Sequence, residues 1–278
     1  MPAPADVPAE VALLRAPLDS DALSIELHRR GSAWPPPVVL GSVGSTNAEG
    51  CAAARDGSPE GLLIVAEEQR SGRGRLDRTW VSPRGAGLTF SVLLRPPAPP
   101  ATWGWLPLIA GLALVTSVRQ LCDVEAALKW PNDLLLGPDQ AKAAGILAES
   151  SDGAVVLGMG VNVSTKVGEL PDGATSLLAE GAFVSRERLL VEVVPALESL
   201  YTAWTEADGD AERSGVLAAY HRSCATLGRA VTVRLPRGDA LRGTAETIDP
   251  SGGLQVRTRD GTLTSVVAAD VVHVRPGK

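Results

Sequence analysis

The stretch Gln69-Arg-Ser-Gly-Arg-Gly-Arg-Leu-Asp-Arg-Thr-Trp80 sets Arg70, Arg73, Arg75 and Arg78 around Gly72 and Gly74, with Asp77 the one acid among them. An apolar run, Leu62-Leu63-Ile64-Val65-Ala66, precedes it and reads as a buried strand. The chain carries a formal net charge of -6, so this cationic cluster runs against the global balance. Glycine lets a backbone turn sharply and approach a ligand closely. Arginine offers a planar, permanently charged fork that suits phosphate and carboxylate. A loop wrapping an anion is one reading of the stretch. A solvated surface loop and an Arg/Gly-rich nucleic-acid segment are two others, and the stretch alone leaves all three open.

Outside the loop the chain narrows the choice. Its 278 residues suffice for one large domain, or a large one with a small one. Hydrophobic residues at 45% and charged ones at 21% describe a globular chain that can bury a sizeable core. Aromatics are only 4%, so that core must be mostly aliphatic, and each of the six tryptophans is worth locating. An acidic pI of about 5.2 argues against a general nucleic-acid coat. Cys51, Cys122 and Cys224 are odd in number and far apart, which suits neither a disulfide framework nor a zinc site and points to a reducing cytoplasm. His28, His221 and His273 are equally scattered. The N-terminus lacks the basic start and apolar stretch of a signal peptide. The apolar segment Trp105–Val118 is shorter than the roughly twenty residues a bilayer needs, and reads as a buried helix.

Residues 1–37 read as a loose N-terminal extension with one short helix over Asp19–Arg30, ended by Pro35-Pro36-Pro37. That is too little for a helix-turn-helix module. Val38–Leu40 reads as a strand leading into Gly44-Ser-Thr-Asn47 and a helix to Arg55. Ser45, Thr46 or Asn47 can cap that helix; the same groups can instead make a polar cradle at a helix start. Gly87–Arg95 alternates as a strand, and Glu125–Lys129 leads into Lys129-Trp-Pro-Asn-Asp133. Lys142–Glu149 and Ala154–Val163 read as a hairpin turning at Ser151-Asp152-Gly153. Gly145, Gly158 and Gly160 interrupt these strands and mark close approach of another backbone or a ligand. Ser185–Trp204 and Asp210–Thr226 read as helices. From Leu227 five short Val/Thr/Arg-rich runs predict a small barrel-like domain.

Four pieces in order, Gly44-Ser-Thr-Asn47, Gln69 through Gly72-Arg-Gly-Arg75 to Arg78 and Trp80, Lys129-Trp-Pro-Asn-Asp133, and Lys142-Ala-Ala-Gly-Ile-Leu147, with Gly158-Met-Gly-Val-Asn162 after them, resemble the biotin protein ligases (biotin–[acetyl-CoA-carboxylase] ligases) over residues 38–278. The resemblance implies an α+β fold: a mixed β-sheet catalytic domain flanked by helices over 38–226, and a small SH3-like β domain over 227–278. It is to the monofunctional kind, without an N-terminal DNA-binding domain. It implies biotin and ATP as substrates with Mg²⁺, and a biotin carboxyl carrier domain of acyl-CoA or pyruvate carboxylases as acceptor. It implies no nucleic acid and no membrane, and a monomer or weak homodimer. Ser45, Thr46, Asn47 and Gln69 match positions that hold biotin's ureido ring; Arg73, Gly74 and Arg75 match the loop over its carboxylate and the phosphates. Arg78, Trp80, Asn132 and Asn162 match the adenylate side, Trp80 packing on adenine. Lys142 matches the lysine that neutralises charge in both steps, and Asp133 is the candidate to orient or deprotonate the acceptor amine. Two departures stand out: Ala143, where a bulkier aliphatic is usual, and Asp77 inside the Arg loop. A lipoate or octanoate ligase or transferase of the same fold is the alternative.

Overall fold

The computed structural model describes residues 9–76, 78–234, 240–267 and 270–273. Asp77, the acid of the Arg loop, lies outside them. Two short helices come first, α1 (Ala9–Leu14) and α2 (Ser20–Arg29). The next elements are β1 (Val38–Leu40), α3 (Thr46–Arg55), β2 (Leu63–Ala66) and β3 (Gly87–Leu94). They are followed by α4 (Leu106–Leu121), β4 (Ala126–Lys129), β5 (Asp133–Leu136), β6 (Ala141–Ser151) and β7 (Ala154–Asn162). Two helices, α5 (Arg186–Glu206) and α6 (Val216–Ser223), lead to the five C-terminal strands. These are β8 (Ala230–Arg234), β9 (Ala240–Ile248), β10 (Leu254–Thr258), β11 (Leu263–Val266) and β12 (Asp270–His273).

Seven strands form one mixed sheet in the order β1-β2-β3-β7-β6-β5-β4. Only β1 and β2 run parallel; the rest are antiparallel neighbours. The centre is buried throughout: every residue of β2, β3 and β7 is buried, with Thr89, Ser91 and Asn162 the polar ones among them. Helix α4 is the apolar backing of the sheet, with Leu108, Ile109, Leu112 and Val115 in the same core as Leu128, Ile146 and Leu157. Preceded by a 3₁₀ turn, its helical run Pro100–Leu121 reaches 22 residues, long enough by length alone to cross a bilayer. Burial, not the shortness expected from sequence, marks it as a core helix: 67% of its apolar window lies inside the protein.

The second sheet, ordered β11-β10-β9-β8-β12, is antiparallel throughout. The chain is thus α+β, a mixed sheet with helices followed by a small SH3-like β unit. Two tryptophans join the units. Trp105 Nε1 donates to Asp249 O at 3.2 Å, and Trp130 Nε1 to Gly252 O at 3.1 Å, with both rings 1% exposed. A buried indole needs a partner for its N–H, and the β9–β10 turn supplies carbonyls for both.

Two sequence expectations need correction. The described residues up to Pro37 are no loose preamble: Leu23 and Leu27 of α2 enter the main core, and Asp19 Oδ1 caps the helix by accepting from the Asp21 and Ala22 amides. The expected helix over Asp210–Thr226 shrinks to Val216–Ser223. Asp210 instead accepts from Glu212 N and Arg213 N in a turn, and Gly215 in the left-handed region precedes the helix.

Candidate functional site

A cavity of about 790 Å³ opens beside β6 and β7. It is lined by Ser45, Thr46, Asn47, Gln69, Arg73, Gly74, Arg75, Arg78, Trp80, Asn132, Asp133, Lys142 and Asn162, which is every candidate site residue. They arrive from several elements, each for a local reason.

Ser45, Thr46 and Asn47 sit at the start of α3, which packs across β3 and β7. Ser45 occupies the N-cap position but makes no side-chain cap hydrogen bond. The capping role open to this trio is therefore not what the side chains do. Thr46 N and Oγ1 both donate to Gln69 Oε1, at 2.8 and 3.1 Å. Asn47 Nδ2 donates to Leu147 O at 3.1 Å and Glu149 Oε2 at 2.8 Å. Ser91 Oγ lies 2.7 Å from both Thr46 Oγ1 and Asn47 Oδ1. The result is a buried, mutually hydrogen-bonded polar floor. Gly158 makes it possible: a Cβ there would fall well inside contact distance of Asn47 Oδ1.

The Arg loop is a short, pinched turn. Gly74 N donates to Arg78 O at 2.7 Å, Trp80 N to Gly72 O at 2.9 Å, and Arg73 bridges Thr79. Leu76 at its tip has φ 54°, a left-handed backbone that is uncommon for a residue with a side chain. Arg73 Nη2 reaches Glu149 Oε2 at 3.2 Å, and Arg75 Nη1 reaches Asn132 Oδ1 at 3.4 Å. The loop thus runs alongside β6, touching it near Glu149 and touching the β4–β5 turn at Asn132. Trp80 lies between these points over two glycines: a Cβ at Gly160 would come 2.5 Å from its ring, and one at Gly145 3.4 Å. The close approach at Gly145, Gly158 and Gly160 is made by the side chains of Trp80 and Asn47, not by the backbone or ligand expected from sequence. Trp80 is half-buried and lines the cavity; its floor is bare backbone, which leaves the ring as a platform.

The opposite end is ionic. Lys142 Nζ on β6 lies 2.6 Å from Asp133 Oδ1 on β5, an ion pair whose approach falls outside hydrogen-bond angles. Asn132 is fixed by donating Nδ2 to Ile146 O at 2.8 Å, and Asn162 by donating Nδ2 to Thr175 O at 3.0 Å. The segment after β7 closes the wall: Lys142 N donates to Gly173 O at 3.2 Å and Thr175 N to Lys142 O at 2.8 Å. Gly168, Glu169, Leu170, Pro171 and Ala174 of this segment line the cavity. From Leu147 to Lys142 the strand covers roughly 15 Å, so the polar floor and the ionic end are separate subsites along one groove.

Sequence reading missed several of these groups. Ser91 alternates with Thr89 on an otherwise apolar strand, and that period of two was the available signal. Glu149, the wall 168–174, and Arg234, Val271 and Val272 from the second sheet carry no local signature. Cavity-lining carboxylates are Asp133 and Glu169, and both are ion-paired. Among the described residues no group of three His, Cys, Asp or Glu could hold a metal ion.

Two family models match the chain. The biotin/lipoate A/B protein ligase family matches residues 54–165, and the biotin protein ligase C terminal domain matches residues 226–274. The chain is 40% identical over 268 residues to a biotin–[acetyl-CoA-carboxylase] ligase of Mycobacterium tuberculosis, covering 94% of this chain and 98% of that one. It is 34% identical to the ligase of the same name from Paracoccus denitrificans, covering 79% and 93%. The solved structure of an Aquifex aeolicus biotin protein ligase with biotin and ATP superposes with a TM-score of 0.71 at 24% identity, covering 86% of this chain and 99% of that chain.

Proposed function

The chain belongs to the biotin protein ligase family, and from that premise we propose that its one long cavity holds biotin on the polar floor and ATP at the ionic end. The enzyme is a biotin–[biotin carboxyl-carrier protein] ligase acting on biotin and ATP. The observation that carries the site assignment is the pairing of two unlike subsites along β6. Thr46, Asn47 and Gln69 supply neutral donors and acceptors suited to a urea, whereas Lys142 and Arg75 supply cations suited to a carboxylate meeting a triphosphate, with Arg73 between the two.

In the first step a biotin carboxylate oxygen bonds to the α-phosphorus of ATP and pyrophosphate leaves. Two anions must meet, and fixed cations offset their repulsion in the transition state. Lys142 stands where the new acyl phosphate forms, and Trp80 offers a flat apolar face for adenine. In the second step a carrier lysine amine attacks the acyl carbon, AMP leaves and the amine loses a proton. That amine has an ordinary pKa of about 10.4 and needs a proton acceptor at neutral pH. Asp133 is the carboxylate at hand, and its pairing with Lys142 gives it a second task, holding that lysine in place. The donor set fits a magnesium ion carried in on the ATP phosphates, since Mg²⁺ is commonly held by substrate phosphates and one or two carboxylates. Such an ion would neutralise phosphate charge, with Asp133 the carboxylate beside Lys142 that would help hold it.

The acceptor is a biotin carboxyl carrier domain, and the protein acts without DNA, as a monomer or weak homodimer. Purified protein with ATP and Mg²⁺ should label an apo carrier domain with biotin. Higher kcat/KM with lipoate or octanoate would replace biotin as the substrate, and a salt-dependent DNA gel shift without ligand would overturn the non-binding of DNA.

A further inference from the structure

Residues 15–18, ahead of the catalytic sheet, are tied from behind to the wall of the cavity. Arg15 Nη1 and Nη2 grip Glu169 Oε1 and Oε2 at 3.2 and 2.6 Å, a two-pronged pair. Arg15 Nη2 also donates to Ser164 O at 2.7 Å, so one guanidinium ties both ends of the turn that follows β7. The Arg15 side chain is 14% exposed, and its backbone is wedged in place: a Cβ on Gly85 would come 3.0 Å from Arg15 O. The segment is anchored from behind as well. Arg186, 1% exposed, donates to Ala16 O at 2.7 Å and pairs with Glu67 Oε2 at 2.7 Å. Glu67 in turn accepts from Leu18 N at 2.7 Å.

Glu169 lines the cavity, and the segment it belongs to holds Lys142 by two backbone hydrogen bonds and Asn162 through Thr175. Burial by itself would raise the Glu169 pKa, but the Arg15 guanidinium and the Lys166 amide outweigh it and hold the carboxylate below its ordinary value. The pair is therefore ionised and in place at neutral pH. A two-pronged arginine–carboxylate pair fixes geometry as well as energy. Loops that wall a site without such ties sample other positions, at a cost in binding.

We propose that Arg15 is a positioning residue for ATP: through Glu169 and Ser164 it sets the wall at residues 164–175, and with it Lys142 and Asn162. This rests on the assignment of the ionic end to nucleotide. Arg15 touches no substrate in this scheme, and neither does it line the cavity.

The test compares wild type, Arg15→Gln, Glu169→Gln and the double variant. Hydrogen exchange is measured on the ligand-free proteins, and pyrophosphate release at varied ATP and varied biotin. Arg15→Gln should speed exchange across 164–175 and raise KM for ATP about tenfold, the order expected for losing a fixed charged pair, with KM for biotin within twofold. The two single changes should not add in the double variant, because both break one pair. Arg15→Lys, which keeps charge but loses the fork, should fall between wild type and Arg15→Gln. Unchanged exchange across 164–175, additive effects, or equal rises in both KM values would overturn the proposal. If wild type released no pyrophosphate from biotin and ATP, the functional reading would fall, while the exchange and additivity in stability would still decide the clamp.

Discussion

The two ends of the cavity are made of different materials. The floor beneath Thr46 and Asn47 is buried: Thr46 is 3% and Asn47 4% exposed, and their hydrogen bonds run to Gln69, Ser91 and the β6 backbone. The other end relies on charge that stays partly in water: the Lys142 side chain is 38% and its partner Asp133 18% exposed. Buried, satisfied hydrogen bonds define one geometry and are expensive to leave unmade. Half-exposed ion pairs are worth about 0–1 kcal/mol each and exchange partners readily. A neutral ring can be held by a rigid template, because its charge does not change in the reaction. In the proposed assignment carboxylate, triphosphate, acyl phosphate and amine succeed one another at the other end, and a cation that can trade Asp133 for substrate oxygens suits that sequence.

The largest effect should come at the ionic end. Lys142→Ala removes the cation we assign to the reacting carboxylate, and pyrophosphate release should drop on the order of a hundredfold or more with the fold intact. Near-normal release would put the catalytic charge elsewhere. Asp133→Asn splits its two tasks. If it chiefly serves the acceptor amine, biotin transfer to the carrier should fall further than adenylate formation; equal losses would make it a positioning partner of Lys142.

The floor should fail in another way. Gly158→Ala forces a methyl against Asn47, which is locked from behind by Ser91 and β6. Overpacking of a fixed core costs roughly 1–3 kcal/mol, so biotin should bind about tenfold or more weakly while ATP affinity holds. Calorimetry with each ligand separates the two, and a matching loss of ATP affinity would dissolve the distinction between the ends.

The second sheet offers a smaller effect that spares both ends. Burial, then the positive charges of Lys129 and Arg229, push the His273 pKa down to about 4. Its Nε2 lies 3.0 Å from Thr226 Oγ1. The unfolded chain protonates this histidine near 6.5, so it binds the proton first as pH falls. The contribution of neutral His273 is complete above pH 6.5 and lost between 6.5 and about 4. With the ring only half-buried, about 1 kcal/mol is the discounted scale. His273→Gln should flatten the stability–pH curve in that window, as followed by urea unfolding; an unchanged slope would remove His273 as its source.

The same division explains what could be read from sequence. Motif residues were legible because Gly44–Asn47, Gly72–Arg75 and Lys129–Asp133 each compress several constrained positions into a few letters. The seven-stranded sheet was legible in its pieces, since β2, β3 and β7 are apolar runs bounded by glycine or turn residues. Glu149, Arg15 and Glu169 were not, because a lone charged residue looks the same on any surface until the fold brings its partner across 76 or 154 positions of chain. Asp210–Thr226 misled for a related reason: its helical composition lost to an Asp210 turn that bonds locally.

The smallest expected effect concerns the Arg loop, which sits on the boundary between the two materials. Four arginines so close together repel one another, which opposes closure until an anion arrives. The structure instead ties Arg73 to Glu149 and Arg75 to Asn132, and pinches the turn with Gly74 and Trp80 backbone bonds. Arg73–Glu149 is half-exposed, so its worth is about 1 kcal/mol at most, a factor of roughly five in an opening equilibrium. Closure without ligand is then favoured only weakly, and Leu76, held at a left-handed φ, opposes it. Glu149→Gln should speed amide exchange across 70–79 by up to about fivefold in the free protein. Biotin with a non-hydrolysable ATP analogue should slow exchange in both proteins to the same final level, because the ligand's own charge then replaces Glu149. Slow exchange that neither ligand nor the Glu149 change can alter would mark the loop as a rigid wall like the floor, and the lid would be lost as a device for shielding the acyl phosphate from water.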